Sequence, residues 1–357
     1  WMAVGSGGNS IAYSSNGTSW TGVSAANSQL TTGGNGIAFG NNTWIAVGAG
    51  GNSISTSSDN GLTWTGRGTY FTTGLGVAGP ATYDVSTVAI TTYVAVGNGV
   101  NSIASSTDGI TWKAQENRTI FTLFGWGVAY GQDGSGAGLW VAVGQGTTNT
   151  IASSTNGTVW TGRGNTMFST SGGRGVAYGQ DGLGAGLWVA VGIGGIASST
   201  NGTTWTYRGN IIDEGYGVAY ANGLWVVVGY TLNGNTIATS TNGTVWTGRG
   251  RTVFTYGGAG VAYGQDGSGN GRWVAVGSGG NTIAFSTNGT TWTGCGAIIS
   301  GNGGNSVAYG QDGSGVGLWV ATGSGVTLIS TNGANWNAVV NDNGGVSVAY
   351  VNGLWIA

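Results

Sequence analysis

One unit is repeated along this sequence from end to end, and this repetition limits the folds that the chain can adopt. Residues 127–164 read GVAYGQDGSGAGLWVAVGQGTTNTIASSTNGTVWTGRG, and a close copy begins with GVAYGQDGLGAGLWVAVG at Gly175. The tryptophan that closes each STNGTxW-type segment recurs with a mean spacing of about 45 residues. It stands at Trp20, Trp64, Trp112, Trp160, Trp205, Trp246, Trp292 and Trp336. Such a period predicts repeated supersecondary units that pack against each other.

Each unit has the pattern of β-strands. Apolar residues alternate in residues 140–143, WVAV, and no stretch shows a sustained period of 3.6 residues. We expect four strands per unit, namely GVAY, LWVAVG, NTIASS and TxWTGRG. The third and fourth strands are joined by Asn-Gly, a hairpin signal because both residues tolerate the positive φ of a type I′ turn. Each unit is therefore predicted to be a four-stranded antiparallel meander.

The stacking of the units predicts a closed ring. One meander cannot bury both of its faces, and closure hides the sheet edges that an open solenoid exposes. We expect an all-β fold, a β-propeller of about eight blades, with seven as the alternative. The WVAVG-type strand occurs once more often than the hairpin, so two copies of this strand would compete for one position in the ring. The copies begin at Trp1, Trp44, Tyr93, Trp140, Trp188, Trp225, Trp273, Trp319 and Trp355.

The domain organisation follows from the same repeat. Residues 1–357 are expected to form a single β-propeller domain. The chain begins and ends within the same motif, WMA against WIA, and we therefore interpret it as an excerpt of a longer polypeptide.

The hairpin resembles a known motif. Residues 57–64, SSDNGLTW, match S-x-D-x-G-x-T-W, and so the chain resembles the Asp-box (BNR) repeat propellers, which include sialidases. Elsewhere the box is one residue shorter and usually has Asn for Asp, as in residues 154–160, STNGTVW, whereas Asp108 keeps the acid. Both side chains can cap a turn through an oxygen. The resemblance implies the fold and not hydrolysis, because in that family the box lies at the blade periphery.

Composition excludes several classes of protein. Charged residues make up 6% of the chain and the net charge is −2, so no long-range field attracts nucleic acid or anionic lipid. The sequence has no histidine and one cysteine, Cys295, which excludes His-based triads, imidazole metal sites and intrachain disulfides. No apolar run is long enough to span a bilayer. We expect no nucleic-acid partner, no membrane insertion, no cofactor and no metal.

The sequence predicts no catalytic centre. Sialidases of the resembled family use an arginine triad, a Tyr nucleophile assisted by Glu, and an acidic Asp. Four arginines here lie three residues after a box tryptophan and are assigned a structural place in each blade: Arg67, Arg163, Arg208 and Arg249. The Phe-Arg-Ile-Pro signature is missing, because the one proline is Pro80. We therefore expect that the protein is not an enzyme, with a sialidase-like glycoside hydrolase as the alternative.

Two repeated motifs have alternative interpretations. The loop Gln-Asp-Gly-x-Gly offers one acid per copy, so we favour a plain turn over calcium binding; its acids are Asp133, Asp181, Asp266 and Asp312. Asn-Gly-Thr is a formal N-glycosylation sequon, but the hairpin requires the same tripeptide. It occurs at Asn16, Asn156, Asn201, Asn242 and Asn288.

Residues that break the repeat are the candidates for function. The third unit departs most, with residues 80–92 inserted before Tyr93. The predicted ligand-binding residues are Lys113, Glu116, Trp126, Asp213, Glu214 and Tyr216. We expect a non-enzymatic binding or structural module, displayed extracellularly, on a cell surface or on a virion, as in a tail fibre or adhesin. Its partner would be a glycan or a surface protein, and neighbouring copies or other domains of a longer chain are further partners. A purely architectural packing protein is the remaining alternative.

Overall fold

A computed structural model of the chain describes residues 1–79, 92–115, 120–169, 171–232, 234–311, 315–340 and 345–349. These residues form β-strands and one short helix. The first elements are β1 (Met2–Gly5), β2 (Asn9–Tyr13), β3 (Thr21–Ser24), α1 (Ala25–Ser28), β4 (Gly33–Gly40), β5 (Thr43–Ala49), β6 (Ile54–Ser57), β7 (Thr65–Gly66), β8 (Thr73–Ala78), β9 (Tyr93–Asn98), β10 (Ile103–Ser106), β11 (Lys113–Ala114), β12 (Phe124–Gln132), β13 (Gly138–Gln145), β14 (Ile151–Ser154) and β15 (Thr161–Gly162).

The second half of the chain repeats the same order of strands. It contains β16 (Gly173–Gln180), β17 (Gly186–Gly192), β18 (Gly195–Ser199), β19 (Thr206–Gly209), β20 (Glu214–Ala221), β21 (Leu224–Tyr230), β22 (Ile237–Ser240), β23 (Thr247–Gly248), β24 (Gly257–Gln265), β25 (Gly271–Ser278), β26 (Ile283–Ser286), β27 (Thr293–Gly294), β28 (Gly304–Gln311), β29 (Gly317–Gly323), β30 (Val326–Ser330), β31 (Asn337–Val340) and β32 (Gly345–Ala349).

Each unit is an antiparallel meander of four strands, as predicted. The order β16-β17-β18-β19 forms one sheet and β28-β29-β30-β31 another, while some neighbouring units are joined by a single residue pair at a sheet end. We call the first strand of each unit the inner strand, because it contacts the inner strands of the units on either side. The inner strands are β4, β8, β12, β16, β20, β24, β28 and β32.

The two ends of the chain meet in one sheet. Strand β1 pairs antiparallel with β32, with Met2 opposite Ala349 and Val4 opposite Ser347, so the sheet order is β3-β2-β1-β32. Strand β32 also contacts the inner strands β28 and β4. The inner strands thereby form a closed series, and the predicted β-propeller is confirmed. The competing strand copy at Trp355 lies outside the described residues.

The core lies between neighbouring sheets. One cluster joins Val141 and Ile151 of one unit to Trp188 and Ala197 of the next, all of them fully or almost fully buried. The Trp188 ring packs on Tyr178 of its own inner strand with 4.9 Å between the ring centroids. Its Nε1 donates to the carbonyl oxygen of Gln132 in the preceding unit at 2.8 Å. One tryptophan therefore contributes both apolar area and a hydrogen bond between blades.

The hairpin turn differs in one respect from the prediction. Ser199 Oγ accepts a hydrogen bond from the Gly202 amide at 2.8 Å, and Asn201 Oδ1 accepts from the amides of Thr203 and Thr204 at 2.9 Å. Gly202 has a φ of 66°, but Asn201 does not adopt a positive φ. The type I′ assignment is therefore wrong here. Asparagine is needed for its side-chain oxygen, which replaces backbone bonds in the turn.

The Asp-Gly loops are turns, as predicted. Asp133 Oδ1 accepts hydrogen bonds from the amides of Ser135 and Ala137 at 2.8 and 2.9 Å. Asp181 and Asp266 accept equivalent pairs of amides. The carboxylates are thus used by their own loops. Asp312 lies outside the described residues.

Candidate functional site

Three adjacent inner strands contain the same irregularity. In the pairing of β12 with β13, the register moves from Gly125 opposite Gly144 to Gly127 opposite Val143, so Trp126 has no partner. Arg174 in β16 and Tyr216 in β20 are skipped in the same way. A β-bulge removes a residue from the ladder and redirects its side chain. The bulges therefore present Trp126, Arg174 and Tyr216 at equivalent places on neighbouring strands.

Glycines allow the three bulges to lie against each other. A Cβ atom on Gly127 would lie 2.9 Å from the carbonyl oxygen of Arg174, and one on Gly175 would lie 2.9 Å from that of Tyr216. These distances are shorter than side-chain carbon atoms tolerate, so Gly127 and Gly175 cannot carry a side chain in this arrangement. The close approach of the backbones brings the three bulged side chains into one cluster.

Trp126 and Arg174 form a cation–π pair. The Cζ atom of Arg174 lies 4.1 Å from the centroid of the Trp126 ring. The same ring stacks on Phe124, with 4.9 Å between centroids and 20° between planes. Contact with the face of a tryptophan stabilises a guanidinium, more strongly where water is excluded. Phe124 and Trp126 thus support the guanidinium of Arg174.

Several polar atoms of this cluster are buried without a hydrogen-bond partner among the described residues. They are Nε1 of Trp126, Nε of Arg174 and Oδ1 of Asn98, whose Cα is paired with that of Phe124. An unsatisfied buried polar group costs about 1–3 kcal/mol, and native proteins contain few of them. Their concentration in one cluster indicates groups held ready for an external partner.

Tyr216 and Glu214 supply the acceptor side of the cluster. The hydroxyl of Tyr216 donates to Oε2 of Glu214 at 2.8 Å. Partial burial, followed by this hydrogen bond, raises the pKa of Tyr216 to about 12, so the phenol stays protonated at neutral pH. Burial lowers the pKa of Arg174, while the negative charge of the Glu214 carboxylate acts in the opposite direction. The cluster therefore combines a cation, a carboxylate and a phenol.

The structure brings together three of the six predicted ligand-binding residues, Trp126, Glu214 and Tyr216. Asp213 is directed elsewhere, because its Oδ2 accepts from Thr231 Oγ1 at 2.8 Å and from the Leu232 amide at 3.2 Å, which braces the loop after β21.

Lys113 does not join the cluster either. It is exposed on β11, which β9 and β10 separate from the inner strand β8. Glu116 lies outside the described residues.

Sequence reasoning missed Arg174, Phe124 and Asn98 as members of the site. The signal for Arg174 was available, because it occupies the variable place of the same Gly-x-Gly motif as Trp126 and Tyr216. Phe124 and Asn98 do not lie at the variable place of this motif. Their role depends on which side chains the bulge brings together.

The repeated arginines hold individual blades together, as predicted. The Nε atoms of Arg163 and Arg208 donate to Ser153 and Ser198 on the third strand of their own sheets at 2.8 and 2.7 Å. Arg67 and Arg249 bond to threonines in the same manner. Within the described residues these side chains do not converge on Arg174.

Sequence comparison gives no family for this chain. No protein-family profile matches the sequence, and no curated protein matches it. The single helix of the described ranges, α1, has four residues, and no described helix meets the length and hydrophobicity that a membrane crossing requires.

Solved structures with a similar fold are β-propellers. The computationally designed Ika8 protein has a TM-score of 0.59 at 10% identity, over 89% of this chain and 91% of that one. Virginiamycin B lyase from Staphylococcus aureus has a TM-score of 0.56 at 13% identity, over 85% and 92%. A streptogramin B lyase has a TM-score of 0.54 at 12% identity, over 85% and 93%.

These likenesses correct one expectation. The expectation that the protein is not an enzyme, which rested on the missing catalytic constellation, is overturned, because chains of the same fold include lyases. At such low identity no reaction is carried over to this chain. The fold, together with the repeated meanders and the meeting of the two chain ends in one sheet, identifies the chain as a β-propeller.

Proposed function

We propose that this protein is a ligand-binding module that recognises a glycan or a protein partner through the cluster of Trp126, Arg174, Glu214 and Tyr216. The observation that carries the proposal is the pair of buried N–H groups, Trp126 Nε1 and Arg174 Nε, that lack a protein acceptor among the described residues. A bound ligand with oxygen acceptors would satisfy both and remove their desolvation cost.

The residue types of the cluster also fit binding. Trp, Tyr and Arg supply most of the binding energy at many interfaces, because each combines a large apolar area with hydrogen-bonding groups. The bulges lie on strands, and a site on regular elements is positioned more accurately than one on loops. With a net charge of −2 over the chain, attraction depends on contacts at the site and not on long-range steering.

We further propose that the module is displayed outside a cell or on a virus particle. Near-identical repeats and a charge-poor surface rich in Ser, Thr, Asn and Gly support this placement. In the same proposal the Ser-x-Asn-Gly turns are Asp boxes. Their Ser and Asn side-chain oxygens accept hydrogen bonds from the turn amides, and the closing Trp205 donates to the Gly202 carbonyl at 3.2 Å. This resemblance concerns the scaffold and not the ligand.

The test compares two arginines in printed arrays of glycans and of cell-surface ectodomains. Arg174→Met keeps an unbranched side chain over Trp126 and removes the guanidinium. Arg208→Met is the matched control, since Arg208 is also half-buried but bonds within its own blade. We expect R174M to lose at least tenfold in affinity for whatever ligand the native protein binds, and R208M to keep that affinity. Equal binding by R174M and the native protein would refute the site.

The Tyr216–Glu214 pair favours a second candidate function. Sialidases of the resembled family use a Tyr nucleophile assisted by Glu, and this pair has its hydrogen bond in place at 2.8 Å. The cluster contains one arginine instead of three, so a substrate carboxylate would be held differently. Turnover of a fluorogenic sialoside that disappears in Tyr216→Phe and persists in Tyr207→Phe would establish a hydrolase. Absence of turnover in the native protein would remove this candidate.

A further inference from the structure

The bulge of the candidate site recurs in every inner strand that the structure describes. The register shifts between Gly34 and Gly36, Gly74 and Gly76, Gly258 and Gly260, and Gly304 and Ser306. In β32 it shifts between Gly345 and Ser347, opposite β1. Together with the three bulges above, the skipped residues are Asn35, Leu75, Trp126, Arg174, Tyr216, Ala259, Asn305 and Val346. We call this set the bulge ring.

The bulge ring is the variable part of an otherwise constant strand. The residues that follow it read VAY or a close variant in most units, whereas the ring itself contains seven different residue types. All of its members are at least partly exposed, and Tyr216, Asn305 and Val346 are the most exposed. A substitution in the ring therefore changes neither the ladder nor the core. Variation confined to such positions is typical of a recognition surface on a rigid scaffold.

Neighbouring members of the ring lie against each other. A Cβ on Gly76 would lie 2.9 Å from the carbonyl oxygen of Trp126, and one on Gly217 would lie 3.0 Å from that of Ala259. The side chain of Asn305 donates through Nδ2 to the carbonyl of Gly345 at 3.0 Å. Asn35 donates in the same way to Gly74 at 2.9 Å. The ring is thus continuous from blade to blade, and one ligand can contact several members at once.

We propose that the bulge ring is the specificity-determining surface of the proposed binding function and that its ligand is an uncharged glycan. Trp126, Arg174 and Tyr216 are consecutive members of the ring, and the charge of Arg174 is balanced by that of Glu214, so the site offers no net charge to a polyanion. It offers N–H donors from Trp126 and Arg174 together with oxygen acceptors from Glu214 and the asparagines. Sugar hydroxyls both donate and accept, and they match this mixture, whereas a carboxylate or phosphate supplies acceptors alone.

The inference rests on the proposed function, and its test uses ring members outside the original cluster. Asn305→Ala removes an exposed amide, and Ala259→Tyr introduces the residue that Tyr216 presents on the neighbouring strand. The matched control is Asn165→Ala, because Asn165 also donates through Nδ2 to a backbone carbonyl, that of Thr147, but lies outside the ring. Each variant is first compared with the native protein by thermal unfolding, and we expect unchanged midpoints.

Binding is then measured on a printed array that contains neutral and carboxylated oligosaccharides. We expect the native protein and N165A to bind the same neutral glycans with the same affinity. N305A should bind them about fivefold more weakly, which corresponds to the loss of one hydrogen bond. A259Y should change the rank order of the glycans. If N305A and A259Y leave the profile unchanged while R174M loses binding, the ring is refuted and the proposed function stands. Binding to carboxylated glycans or proteins alone refutes the neutral ligand. No binding at all refutes both proposals.

Discussion

Asparagine and aspartate occupy the same place in the hairpin turns and make the same hydrogen bonds there. Asn201 uses Oδ1 to accept two backbone amides, and Asp108 accepts the amides of Ile110 and Thr111 at 2.7 and 2.6 Å. The carboxylate adds a charge that these donors stabilise. The pKa of Asp108 is thereby lowered to about 2, chiefly through Thr111, and that of Asp59 to about 2, chiefly through Thr63.

These carboxylates make the stability of the fold dependent on acid. Because the folded pKa values lie below the ordinary value of 3.8, the contribution is fully present above that value and is lost as pH falls through about 2. We expect the thermal midpoint to fall between pH 4 and pH 2, and to fall less in the double variant D59N/D108N, since Asn keeps the acceptor without titrating. If the thermal midpoint depends on pH in the same way in the native protein and in D59N/D108N, Asp59 and Asp108 are not the source of the acid sensitivity. The pKa values of Asp133 and Asp266 are also lowered, and these two residues account for the pH dependence that remains in the double variant.

Residues of the candidate cluster could be selected from the sequence only where they broke the repeat. Trp126, Glu214 and Tyr216 were found because their positions differ from unit to unit. Arg174 was overlooked because arginine is common at a repeated structural position, although Arg174 itself lies elsewhere in the unit. Asp213 was selected for the same reason as Glu214, yet its carboxylate braces a loop. Variability indicates that the fold does not constrain the residue type at a position. The direction of the side chain, however, depends on the bulge and its neighbours.

At the scale of the element, the strands and their order followed from period-two patterning, whereas the contacts between blades did not. The tryptophan of most second strands is buried between neighbouring sheets. Its hydrogen bond to the preceding blade could not be predicted, since it joins Trp188 to the Gln132 carbonyl across 56 positions of sequence. Such long-range pairs depend on how the sheets stack.

This bond can be measured through one substitution. Trp188→Phe keeps an aromatic ring but leaves the Gln132 carbonyl without its donor and a cavity beside Tyr178. We expect the free energy of unfolding to decrease by about 2–4 kcal/mol, from the lost hydrogen bond and the lost packing together. Denaturant unfolding measures the change. Trp126→Phe is the control, because Trp126 Nε1 has no described partner, and it should cost less. Equal losses would show that the bond between blades contributes nothing.

For the whole molecule, closure determines whether the first and last strands are as stable as the others. Val348 in β32 and Val307 in β28 occupy equivalent places, and both are almost fully buried. In a closed ring Val348→Ala and Val307→Ala should each lower the free energy of unfolding by about 2 kcal/mol. Val346→Ala, at an exposed position of the same strand, is the control and should change it little. In an open array β32 would lie at a frayed end, so V348A would lower the free energy of unfolding far less than V307A. Equality of the two core variants therefore indicates that the seam between β1 and β32 unfolds together with the rest of the propeller.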